Sequence, residues 1–144
     1  MESSLIEKLD KERYLVIKLS TIGCAIWFGS LILQDLIINK PIVLIVIIVG
    51  LIGWIFFTVG LIKQLRLTRK INSNSILKEA LNNEMYRLYT YKSAFVGFWA
   101  LIITCGCFYI ISTFYDIPAL LVCKFILFFG CLATFIAALI YNRG

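Results

Sequence analysis

Residues Lys63–Ser93 read KQLRLTRKINSNSILKEALNNEMYRLYTYKS, the one long polar interval in a chain of 144 residues. Two apolar runs lie on each side of it. Each has about 20 residues, the helical length that crosses a ~30 Å hydrocarbon layer. The interval therefore reads as a turn outside the bilayer, between two pairs of transmembrane helices.

The totals agree with that reading. The chain is 61% hydrophobic and 15% charged, with a mean hydropathy of +0.94. A soluble domain is about half apolar and about a quarter charged. A water-soluble fold of this size cannot hide so much apolar surface, so lipid is the expected solvent and the bilayer the first expected partner. One integral membrane domain, 1–144, is the natural unit. The net charge is +6, with 14 Lys plus Arg against 8 Asp plus Glu. These basic residues flank apolar runs, the placement that orients a membrane protein, so no nucleic acid is expected.

Outward from the interval, four spans are predicted at about 14–36, 42–62, 94–114 and 119–141, with a loop at 63–93. The first run is too long for a signal-peptide core and has no cleavage pattern, so it is expected to be retained. Before it, Ser4-Leu5-Ile6-Glu7 fits a capping box. Leu5, Leu9 and Val16 share a helical face with Ile6 beside it, and no Gly or Pro precedes Gly23. A helix running unbroken into the first span follows. Pro41 suits the first turn of span two. Lys63, Arg66, Arg69 and Lys70 then continue that helix out of the bilayer, and Ile71–Ser75 is its expected break. Leu77, Leu81, Met85 and Leu88 restore a helical period, so span three is expected to begin as an extramembrane helix. Tyr86, Tyr89 and Tyr91 sit where it enters the membrane, which suits rings with one wet end. Tyr115-Asp116-Ile117-Pro118 reads as a tight turn.

Orientation follows from charge. The N-terminal segment holds Lys8, Lys11, Arg13 and Lys18. The interval holds Lys63, Arg66, Arg69, Lys70, Lys78, Arg87 and Lys92, and Arg143 lies at the end. Only Lys40 and Lys124 remain for the other side. The basic side is expected to be cytoplasmic, with both termini there. The fold class is an all-α, four-helix antiparallel bundle with a helical cytoplasmic hairpin between spans two and three.

Small residues recur every four positions at Thr21, Ala25 and Gly29, and again at Gly130, Thr134 and Ala138. Such stripes let helices approach closely, within the chain or between copies in a homo-oligomer. Gly50, Gly53 and Gly60 thin one side of span two.

Ala80-Leu81-Asn82-Asn83-Glu84, then Arg87, Lys92 and Ala94, then Gly97-Phe98-Trp99-Ala100-Leu101, resembles a pattern in small bacterial four-span membrane proteins of unknown function. The resemblance covers about twenty residues around the entry to span three. It implies a bacterial inner-membrane protein and supplies no activity.

Candidate chemistry is sparse. There is no His, which removes imidazole catalysis and most zinc sites. Cys24, Cys105, Cys107, Cys123 and Cys131 all fall inside spans, so no disulfide framework is expected. Cys24, Cys105 and Cys131 share a depth near the bilayer centre, but small packing residues are the expected role. No metal or cofactor is expected. Apart from Lys18, where span one begins, Lys124 is the one basic residue inside a span; it lies close enough to the outer surface to snorkel there, with Asp116 available to pair. Asp35 is the one acid near an end of span one. Small four-span exporters need a carboxylate deep in their first helix, and Thr21–Gln34 holds none. Four-span enzymes acting on glutathione or lipid conjugates place their long cytoplasmic loop after span one, whereas here it follows span two.

Glu84, Arg87 and Lys92, with Arg66, Arg69 and Lys70, form the candidate site: a docking surface for a cytoplasmic or membrane protein partner. The expected function is non-enzymatic association, as a regulator, assembly factor or partner-binding subunit. A small oligomeric transporter or pore is the alternative, suggested by size and span number.

Overall fold

The computed structural model describes residues 2–73 and 84–142, all in helices and short connections. There are four long helices: α1 Glu2–Leu36, α2 Lys40–Asn72, α3 Glu84–Ser112 and α4 Ala119–Tyr141. Each contains a segment long and apolar enough to cross a membrane. At 1.5 Å per residue, α1 and α2 are each about 50 Å long, well beyond a hydrocarbon layer of ~30 Å.

α1 begins at Glu2 and runs unbroken into the first span, as the absence of early Gly and Pro predicts. Ser4 lies within α1, and the side chains of the expected capping box lie outside the described set except that of Glu7. α1 ends at Leu36, and residues 37–39 lead into α2, whose second residue is Pro41. Asn39 stands at the N-cap in an extended conformation. The proline ring presets φ and lacks a donor that would have no partner in a first turn.

α2 continues past Lys63 to Asn72. Ile71, expected within the break, is still helical and only 2% exposed. It packs with Leu67 of α2 and Leu9 of α1, which holds the extensions of both helices together. Leu9 and Val16 are buried, as their shared face predicts. Ser73 closes α2: its amide donates to the Arg69 carbonyl at 3.0 Å and its hydroxyl to the Lys70 carbonyl at 2.9 Å. Arg69 and Lys70 place positive charge at the negative end of the helix dipole.

The segment Ile76–Asn83 and the Leu77/Leu81 period lie outside the described residues. From Glu84, α3 runs without a break through the third span. It stops at Ser112, two residues short of the predicted Phe114. The amides of Thr113, Phe114 and Tyr115 bond back to Ile110 and Ile111, forming the turn. Pro118 then caps α4, its carbonyl accepting from the amides of Leu121 and Val122.

α1 packs on both α2 and α4, and α4 also carries α3. The α1–α2 seam is lined with glycine. A methyl group on Gly23 would strike the backbone of Phe57, and one on Gly53 would lie 2.7 Å from the Trp27 amide. Farther along, Gly60 faces Ser20 and Gly50 faces Ser30. The rings of Trp27 in α1, Phe57 in α2 and Phe135 in α4 meet in series, the first pair tilted and the second edge to face, with centroids 5.5 and 6.0 Å apart. On the α3–α4 seam, Gly97 faces Thr134 and Gly130 lies under Leu101. Gly130 and Thr134 of the Gly130/Thr134/Ala138 stripe thus face α3 within the chain. Gly29, by contrast, has open space where a side chain would begin, while Thr21 is buried and Ala25 is half-buried.

The hydroxyls on α1 do not compete with this packing. Ser20 donates to the Val16 carbonyl at 3.1 Å and Thr21 to the Ile17 carbonyl at 2.8 Å. Ser30 donates to the Trp27 carbonyl at 2.7 Å. Each hydroxyl is satisfied by its own helix, so a polar side chain is tolerated where no water enters. Among the described residues no buried side-chain polar atom lacks a partner.

Candidate functional site

Two polar constellations stand out, about 30 Å apart along α1. The first is an ion pair between helices remote in sequence. Lys124 Nζ, in the second turn of α4, lies 2.7 Å from an Asp35 carboxylate oxygen in the last turn of α1. The same ammonium donates to the Leu31 carbonyl at 3.3 Å. The side chains of Lys124 and Asp35 are 21% and 34% exposed. Asp116, the expected partner, is exposed on the connection before α4; the carboxylate that meets Lys124 is Asp35. The reason is positional. Asp35 puts a negative charge at the negative end of the α1 dipole, and the incoming ammonium offsets both. Lys124 reaches the last turn of α1, where Asp35 and the Leu31 carbonyl receive it.

The second constellation is a groove of about 510 Å³ between α1 and α2, where both helices extend past the charge-free run of α2. Lys63, Arg66 and Lys70 form its α2 wall, at spacings that put them on one helical face. Glu12 stands opposite on α1. The floor is apolar, made by Val16, Leu19 and Leu67, with the exposed Leu15 at the edge. Arg13, counted among the solvated basic residues by its place in the sequence, is only 9% exposed.

The predicted docking residues divide between two settings. Arg66 and Lys70 line the groove, whereas Arg69, Arg87 and Lys92 are exposed outside it. Glu84 is the first described residue of α3, and its side chain lies outside the described set, as does that of Tyr86. Near the start of α3, Tyr89 stacks on Tyr141 of α4, with centroids 5.9 Å apart and planes 11° from parallel. Tyr91 is exposed.

The cysteines scatter. Cys24 is fully buried on α1, Cys131 is half-buried on α4, and Cys105, Cys107 and Cys123 face outward. Among the described residues, no group of three or more Cys, Asp or Glu converges on a common point.

Sequence reasoning did not find the groove or the Asp35–Lys124 pair. A partial signal for the pair existed: Asp35 and Lys124 each lie within two turns of a helix end on the same side, although Asp116 does so too. The groove had none, because its walls come from helices whose mutual rotation the sequence does not display.

No family model, no curated protein and no solved structure matches the chain.

Proposed function

We propose that the chain is a bacterial inner-membrane protein that works by association: a regulator, assembly factor or partner-binding subunit with no chemistry of its own. Its four helices form an antiparallel bundle, with the helical segment around 63–93 and both termini in the cytoplasm. The pairing of Ser20 with Gly60 and of Ser30 with Gly50 supports opposed directions for α1 and α2. The concentration of basic residues at one end supports the orientation.

The observation that carries the reading is the exposure of Arg69, Arg87 and Lys92, with Arg66 and Lys70 beside them, where α2 ends and α3 begins. These cations stand on helices, so a partner meets them without first ordering a loop. The open face of α1 around Gly29 suits a second copy of the chain.

Affinity capture from membranes in mild detergent tests the reading. The wild-type chain should retain a protein partner that is lost on reversing Arg66, Arg69 and Arg87 to Glu. An unchanged set of retained proteins would count against it.

The Asp35–Lys124 pair favours a second reading, a small oligomeric transporter or pore, since ionisable pairs inside spans often mark an ion path. Cation or drug flux in proteoliposomes that disappears in Lys124→Ala or Asp35→Asn supports it; absence of any flux removes it.

A further inference from the structure

We propose that the groove between α1 and α2 is a binding site for a single anionic phospholipid, its phosphate held by Lys63, Arg66 and Lys70. The proposal rests on the reading of these helices as membrane spans; it shares Arg66 and Lys70 with the partner reading, and the experiment separates the two. Three observations carry it.

The first is charge. Lys63, Arg66 and Lys70 line one wall and Glu12 the other, leaving two positive charges in excess. Among the described residues, the ion pairs join Glu7 to Lys11 and Asp35 to Lys124, so these three cations keep their donors for a ligand. Arg66 offers a planar fork that matches a phosphate, and the two lysines add mobile point charges.

The second is depth. Pro41–Ile62 of α2 carries no charge, and Lys63 is the first cation beyond it. The cationic wall therefore begins at the headgroup level and rises about 10 Å to Lys70. On α1 the order is reversed: Glu12 stands at the polar end, and Leu15 and Leu19 run toward the hydrocarbon. Leu15 is 61% exposed and faces outward beside the groove. The site is polar at one end and greasy at the other, as a lipid is.

The third is size. A cleft of about 510 Å³ falls within the ~300–1,000 Å³ of small-molecule sites and has room for a headgroup and the first part of an acyl chain. An acidic peptide from the aqueous side would match the cations but would leave the strip at Leu15 and Leu19 uncovered. The continuous apolar floor decides for lipid.

Native mass spectrometry of the full-length chain, titrated with phosphatidylglycerol or phosphatidylcholine in mild detergent, tests the proposal. The wild-type chain should retain one phosphatidylglycerol in preference to phosphatidylcholine. The triple variant Lys63→Gln, Arg66→Gln, Lys70→Gln should bind it about a hundredfold more weakly, at about fivefold per charge removed. Arg69→Gln, Arg87→Gln, Lys92→Gln removes the same charge outside the groove and should change binding by about threefold at most if the site is local. Leu15→Trp fills the greasy end with all charges intact and should weaken binding about tenfold. Equal losses in the two triple variants, or no preference for phosphatidylglycerol, would overturn the proposal. So would a groove variant that keeps the lipid and loses a captured protein, because the groove would then be a protein site. Loss of the lipid with the captured partner retained supports the lipid site and leaves the partner reading intact.

Discussion

α1 and α2 form one pair of helices, yet they are built on opposite rules. α2 has the most apolar span of the four, and only 11% of its most apolar window is buried; for α3 and α4 the figure is 6%. α1 has the least apolar span, and 44% of its window is buried. In water the greasiest helix goes inside. In lipid, hiding a leucine from hydrocarbon brings almost no gain, so the interior goes to residues that let backbones approach or that carry hydroxyls and thiols. Ser20, Gly23, Cys24 and Ser30 occupy the centre here, while Leu44, Ile48 and Leu51 face outward. The difference shows what burial means in this chain: close fit rather than escape from solvent.

Three sets of substitutions sharpen that contrast or break it. The largest effect is expected at the α1–α2 seam. Gly23→Leu drives a side chain into the Phe57 backbone and should cost about 3 kcal/mol or more in detergent unfolding, whereas Gly29→Leu should cost less than about 0.5. Equal costs would mean that the seam does not hold the pair together. Next comes the α1 face toward α4. Cys24 is fully enclosed, so Cys24→Leu overpacks it and should cost about 2 kcal/mol; Cys105→Leu, facing outward on α3, should be close to neutral. The smallest effect is expected for the ion pair. Lys124→Ala leaves Asp35 with an unneutralised charge at a helix C-terminus and should cost about 1–2 kcal/mol, between the values for exposed and buried pairs. A double-mutant cycle with Asp35→Asn that gives no coupling would show that the pair contributes nothing to stability.

The sequence displayed the spans and hid their rotations. The lengths of the four apolar runs and the lack of early breakers placed the helices to within a few residues, the extensions of α1 and α2 past their apolar runs included, and the discrepancy on α2 lies at its end. There Ile71 was misplaced because its local neighbours are turn formers. It packs on Leu67 one turn back and on Leu9 of α1, and the Leu9 contact, remote in sequence, is not visible in the local pattern. The stripe Thr21–Ala25–Gly29 shows the same limit. Steps of four residues advance 400°, so the face drifts about 40° each time. By Gly29 it has left the side that Thr21 buries. The true seam alternates steps of three and four through Ser20, Gly23, Trp27 and Ser30 and so stays on one side. Lys124 was recognised as unusual, but hydropathy reports depth and not azimuth, so the sequence could not choose Asp35 over Asp116.

The three-residue link at 37–39 acts as a tether. Fully extended it reaches no more than about 14 Å, so the end of α1 and the start of α2 stay neighbours even when the seam between them opens. Re-forming the glycine–serine contacts is then a search over a short range, and a longer link would widen that search.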